Sequence, residues 1–168
     1  MATQAYDPRP VDTHELITPS PTMFNGTDAL ALRSGDAVVL VGRLLLGWLF
    51  LKGGWDKLMN IPGFAGYLTS LKVPAPTFMA YLSMLGELAI GLALIFGIAT
   101  RYLSLFAFVY LIITIVLAHR YWDYPPAQQM AQFNNFLKNL SIMGGSLLLF
   151  VTGAGRFSID GWLRRSRR

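Results

Sequence analysis

Residues 37–55 read AVVLVGRLLLGWLFLKGGW: nineteen positions whose only charges are Arg43 and Lys52. At about 1.5 Å of rise per residue such a stretch covers most of a hydrocarbon core of about 30 Å, so it reads as a helix that crosses a bilayer. Ser34 or Asp36 is a suitable N-cap, and Gly53-Gly54 is expected to loosen the end. Working outward, three more apolar segments follow at residues 77–97, 102–118 and 136–152. The second enters after Pro74 and Pro76, the third lies between Arg101 and His119, and the fourth stops at Gly153 and Gly155.

Composition agrees with this reading. The 168 residues are 54% hydrophobic and 14% charged, whereas a soluble domain carries about a quarter charged residues. The predicted fold is an all-α membrane protein: a four-transmembrane-helix bundle with short interfacial helices in its two extracytoplasmic loops. In the first loop Phe64, Tyr67, Leu68 and Leu71 recur at helical spacing after Pro62. In the second, which carries Tyr121, Trp122 and Tyr124, Met130, Phe133 and Phe136 share a helical face. Residues 1–36, with four prolines and five acidic side chains, are expected to form a polar extended tail, residues 37–156 the membrane domain and residues 157–168 a basic tail. The first residues lack the basic start and apolar run of a secretory signal, so the tail is expected to stay on the mature protein.

The net charge of +5 does not point to nucleic acid, because Arg164, Arg165, Arg167 and Arg168 crowd the last five positions as a membrane-flanking anchor. Arg33, Arg101, Arg156 and those four arginines would share one side, against Lys57, Lys72 and Arg120 on the other. The excess of positive charge predicts that both termini are cytoplasmic. There is no cysteine, which excludes disulfides and thiolate sites, and two histidines, one of them in the tail, cannot assemble a haem pair or a metal triad. GGSLLLFVTGAG lacks a preceding strand and a P-loop lysine, so it reads as helix packing and termination. Gly86, Gly91, Gly97 and the Gly144-Gly145 pair are expected to allow close helix contact.

Charges inside the apolar segments each need a partner or a purpose, since insertion costs at least ~2.5 kcal/mol. Glu87 lies near the middle of its segment and Arg43 within roughly 6 Å of the same depth, so an Arg43–Glu87 ion pair is predicted. That pair would either fix helix register or free Glu87 to move a proton. Toward the opposite interface Lys52, His119 and Lys138 are placed at similar depth, beneath caps carrying Trp55, Tyr67, Tyr121 and Trp122. A basic, aromatic-walled pocket of this kind suits a quinone headgroup or a small anion. The alternative is that the lysines snorkel to headgroups and the aromatics form an ordinary interfacial belt.

The ordered series RLLLGWLFLKGGWDKL (43–58), GFAGYLTSLKVPAP (63–76), GELAIGLALIFGIATR (86–101) and HRYWDYPPAQQMAQFNNFLKNLSIMGGSLLLFVTGAGRFSID (119–160) resembles the DoxX family. The points of match include Arg43, Gly47, Phe50, Gly54 and Lys57, the FLKNL signature with Lys138 and Asn139, and the closing Gly153, Gly155, Ser158 and Asp160. The resemblance covers residues 37–163 and implies a membrane subunit linked to redox chemistry. The family takes its name from subunits purified with a terminal quinol oxidase and related to thiosulfate:quinone oxidoreductase.

The expectation is therefore a subunit of a bacterial or archaeal cytoplasmic membrane, in contact with lipid and a larger membrane complex. It would hold no covalent cofactor and would take quinone at Lys52, Trp55, His119, Trp122, Lys138 and Asn139. The competing expectation is a non-catalytic accessory subunit that docks through its helices and N-terminal tail. Under that reading the charges are architectural.

Overall fold

The structure, a computed structural model, describes residues 25–166. Helices account for nearly all of it: α1 (Asn25–Met59), α2 (Ile61–Ser70), α3 (Pro76–Phe96), α4 (Thr100–Ala118), a single 3-10 turn (Tyr121–Asp123), α5 (Pro126–Thr152) and α6 (Ile159–Ser166). The chain divides into a unit Met1–Arg33, described only from the start of α1, and a unit Ser34–Arg168 that holds everything discussed below.

Local chemistry explains the element ends. Asn60 caps α2 by accepting from the backbone N–H of Gly63. Pro76 opens α3 and Pro126 opens α5, where the missing N–H costs nothing. Gly97 closes α3 at φ +69°, a left-handed turn that leads directly into α4.

Several boundaries differ from the sequence reading. Residues 25–36, expected as extended tail, are the first turns of α1. Once a helix is nucleated, residues such as Ala29, Leu30, Ala31 and Leu32 extend it at little cost, and no proline interrupts them. The part of the expected tail before residue 25 lies outside the described residues. The Gly53-Gly54 pair does not end α1 either, which continues to Met59 and carries Lys57 in its last turn. At the other end of the chain, residues 159–166 of the expected basic tail are helical.

Three helical stretches are long and apolar enough to cross a membrane: Ser34–Met59, Pro76–Phe96 and Thr100–Asp123. The 27-residue α5 begins ten residues earlier than the predicted fourth segment, with polar first turns that include Gln128, Gln129 and Gln132. The core of the bundle is formed by Phe50 of α1, Ile90 and Leu94 of α3, Ala107 and Leu111 of α4, and Ile142 and Leu149 of α5. A second cluster seats Ile61, Ala65 and Leu68 of α2 on Ala80 and Met84 of α3.

Helices α1 and α3 touch backbone to backbone. A Cβ at Gly91 would stand 2.7 Å from the Leu51 nitrogen, one at Gly47 would stand 2.9 Å from the Gly91 carbonyl oxygen, and one at Gly54 would meet the Leu88 nitrogen at 2.9 Å. Among the glycines expected to permit close contact, Gly91 does so. Gly97 faces the Arg43 guanidinium, and Gly145 faces the Leu46 side chain at 3.1 Å. Gly86 and Gly144 face open space, where a Cβ would meet nothing within 4 Å, because they fall on outward faces of their helices.

Candidate functional site

A polar chain links α1, α3 and α4 at the centre of the bundle. Glu87 lies eleven residues from the start of α3 and nine from its end. One carboxylate oxygen accepts from Lys57 Nζ at 2.5 Å and the other accepts from the Tyr110 hydroxyl at 2.7 Å. The Tyr110 oxygen lies 2.7 Å from Ser83 Oγ, and since the tyrosine proton is committed to Glu87, Ser83 is the donor there. The Lys57 ammonium also lies 4.9 Å from the Phe64 ring centroid, a cation–π contact that offsets its desolvation. Gly53 makes room for the carboxylate: a Cβ there would stand 2.7 Å from Glu87 Oε2.

The predicted Arg43–Glu87 pair is thus corrected: both side chains are buried, but each finds its hydrogen-bond partners elsewhere, and Arg43 Nε has none. The Arg43 guanidinium donates to the carbonyls of Ile95 (3.2 Å), Phe157 (2.9 Å) and Ala154. These carbonyls belong to the last turn of α3 and the segment after α5, where helix termination leaves acceptors without intrahelical partners. The negative ends of two helix dipoles converge on the same cation. Around this knot Asp160 accepts from the backbone N–H groups of Ala99 and Thr100 at 2.9 Å each, capping α4. Asp36 accepts from the Arg156 N–H at 2.8 Å. Ser158 caps α6 through the Gly161 N–H at 2.9 Å. The Gly153, Gly155, Ser158, Asp160 series is a device for tying helix ends.

The predicted basic pocket does not assemble. Lys52 is exposed and pairs with Asp56 on its own helix at 2.6 Å. Lys138 is exposed and donates to Asn135 at 3.2 Å. Trp55 is exposed, and Trp122 stands edge-on to Tyr121, 5.1 Å between ring centroids. Asn139 is buried within the bundle, its amide nitrogen without a hydrogen-bond partner. Depth and helical phase both separate these side chains: Lys52 lies at the level of Glu87 and Leu88 in the middle of α3, whereas His119 closes α4, and Lys138 is exposed where its neighbour Asn139 is buried.

His119 is the exception. Its Nδ1 lies 2.8 Å from Gln132 Oε1, and Gln132 lines a groove of about 470 Å³ that opens between α2, the end of α4 and the start of α5. Tyr67, Lys72, Leu117, Arg120 and Tyr124 contribute to its walls. The hydroxyls of Tyr67 and Tyr124 both point at the Ala118 carbonyl, at 3.4 and 3.1 Å. Burial, followed by the Tyr124 hydroxyl, pushes the Tyr67 phenol up to about 12. Arg120 is partly spent on Asp123, 3.2 Å away. The groove therefore offers cationic and amide donors beside aromatic and aliphatic walls, the chemistry that a carbonyl-bearing ring or a small anion requires. Sequence reading missed Tyr110 and this groove. A tyrosine inside an otherwise apolar segment was the available signal for the first.

The DoxX family model matches residues 38–120. The chain is 38% identical over 130 residues to the inner membrane protein YqjF of Escherichia coli (strain K12), covering 77% of this chain and 95% of that one. It is 32% identical over 123 residues to the inner membrane protein YphA of the same organism, covering 73% and 88%. No solved structure matches. From the family match and these two relatives, the chain belongs to the DoxX family.

Proposed function

We propose that this protein is a cytoplasmic-membrane subunit with four crossings and both termini in the cytoplasm, working in or beside a quinone-linked oxidoreductase and receiving a quinone headgroup in the α2–α4–α5 groove. The observation that carries the reading is the groove itself, with Lys72, Arg120, Gln128 and Gln132 among its lining residues and Tyr67 and Tyr124 as aromatic walls. Quinone carbonyls accept hydrogen bonds from such donors, and the ring packs on aromatic faces. This chain would bind and orient the headgroup. Electron transfer would require a redox partner, for which the quinone is the mobile carrier.

The test is the quinone content of purified protein. Lys72→Met combined with Arg120→Met is expected to lower retained quinone about tenfold, the consequence of losing about 1.4 kcal/mol of binding. Lys52→Met and Lys138→Met should leave it unchanged. Equal retention in all variants, or no quinone in the parent protein, would sink the proposal.

A second reading has its own support: Glu87, Lys57 and Arg43 are all engaged within the chain. Spent in this way, they serve architecture, as in an accessory subunit that docks on a larger assembly through its helices and tail. Deleting residues 1–33 should then release the protein from that assembly, and continued association after the deletion would count against the clamp.

A further inference from the structure

Helix α1 has two opposed faces. Arg43, Gly47, Phe50 and Gly54 are buried against the bundle. On the other side Val41, Leu45, Trp48, Lys52, Trp55 and Met59 alternate by three and four residues, and every one is exposed. Any lipid-facing helix presents such an apolar strip. What lipid does not explain is the ion pair within it: Lys52 and Asp56 side chains are 57% and 58% exposed.

Their depth follows from the register of α1 on α3. Gly53 faces the Glu87 carboxylate and Gly54 faces the backbone nitrogen of Leu88, so Lys52 and Asp56 bracket the level of Glu87 and Leu88. That level is the middle of the α3 span Pro76–Phe96. Charges at such a depth face a bundle interior or an aqueous cavity, because hydrocarbon offers them no partner. Trp48 and Trp55, both exposed, lie below the headgroup level that tryptophan favours.

We propose that a second copy of this chain covers this face, with a two-fold axis along the membrane normal beside Lys52. Each copy's Lys52 then meets the other's Asp56. The charges argue for a like partner: a cation and an anion lie one turn apart on a single strip, and two-fold symmetry supplies the complementary pair at the matching depth. The offset of four residues is about 6 Å of rise, within reach of a lysine side chain. A single lysine in an apolar seam is also a register-setting device.

The chain has no cysteine, so disulfide cross-linking in native membranes needs no background changes. Leu45→Cys and Trp48→Cys are expected to form a species of twice the chain's mass. Leu85→Cys on α3 and Ile113→Cys on α4, at positions of comparable exposure, are not. With the Trp48→Cys reporter, Lys52→Asp makes the strip wholly acidic and Asp56→Lys makes it wholly basic. Each should lower cross-linking about tenfold, a loss of about 1.4 kcal/mol. Co-expressing the two should restore it between unlike copies. Equal yields at the control positions, absence of the doubled species in the parent reporters, cross-links only to a different protein, or failure of the co-expressed pair would each overturn the proposal. The parent Leu45→Cys and Trp48→Cys reporters keep the test valid if a charge variant fails to assemble.

Discussion

Glu87 shows how a single carboxylate becomes tolerable inside a membrane helix: both of its oxygens are met, one by an ammonium and one by a phenol. Removing either member of a buried pair leaves the other uncompensated, at a cost of about 3–5 kcal/mol. Glu87→Gln and Lys57→Met are therefore each expected to lower the melting temperature in detergent markedly. The double variant should recover most of the loss, and additive losses would show that the pair is not coupled. The sequence made Glu87 and Arg43 legible as buried charges but not their partners. An apolar segment that ends at residue 55 leaves Lys57 outside the helix. The further turn of α1 brings its side chain back to Glu87. Arg43 does not reach Glu87 because its terminal nitrogens donate to backbone carbonyls at helix ends, which are invisible to residue typing. Tyr67 carries a pH prediction. Its folded value of about 12 lies above the unfolded value near 10, so its contribution is complete below pH 10 and is lost as pH rises toward 12. Thermal melts of Tyr67→Phe should show a shallower decline across that window than those of the parent.

At the scale of elements, the decisive contact is the α1–α3 crossing. Lipid removes most of the hydrophobic drive between helices, so association rests on close packing of small residues. Gly91→Ala pushes a methyl group onto the Leu51 backbone, which cannot yield as a side chain end would. A loss of about 1–3 kcal/mol is expected. Gly86→Ala, five residues away on an open face, should instead gain about 0.5–1 kcal/mol from reduced unfolded-state freedom. Opposite signs in two melting curves would establish the crossing, whereas losses of equal size would point to a general intolerance of α3. Apolar segments in the sequence located the middles of the long helices. Their ends were less legible, because α1 and α5 extend through residues whose composition is polar and whose helicity is inherited from the neighbouring turns.

At the scale of the whole molecule, the segment after α5 ties the middle of α1 to the ends of two other helices: Arg43 binds the carbonyls of Ala154 and Phe157, the Asp160 N–H donates to the Gly97 carbonyl that closes α3, and the Asp160 carboxylate caps α4. Asp160→Ala should cost about 1–2 kcal/mol through the lost cap. The same knot bears on topology. It holds the far end of α5 beside the α3–α4 turn, while the start of α5 meets the end of α4 through Gln132 and His119. Helix α5 thus runs antiparallel to α4 along its length, and the polar residues in its first turns lower its mean hydropathy without shortening its path. Under the proposed arrangement of four crossings, an enzyme reporter active only in the cytoplasm should be active when fused at either terminus. A reporter inserted after Tyr124, at the groove, should be silent there. Reporters of opposite activity at the two termini would mean an odd number of crossings and would remove α5 from the membrane. The proposed groove would then have to be placed anew, because its α5 wall would no longer sit at a membrane surface.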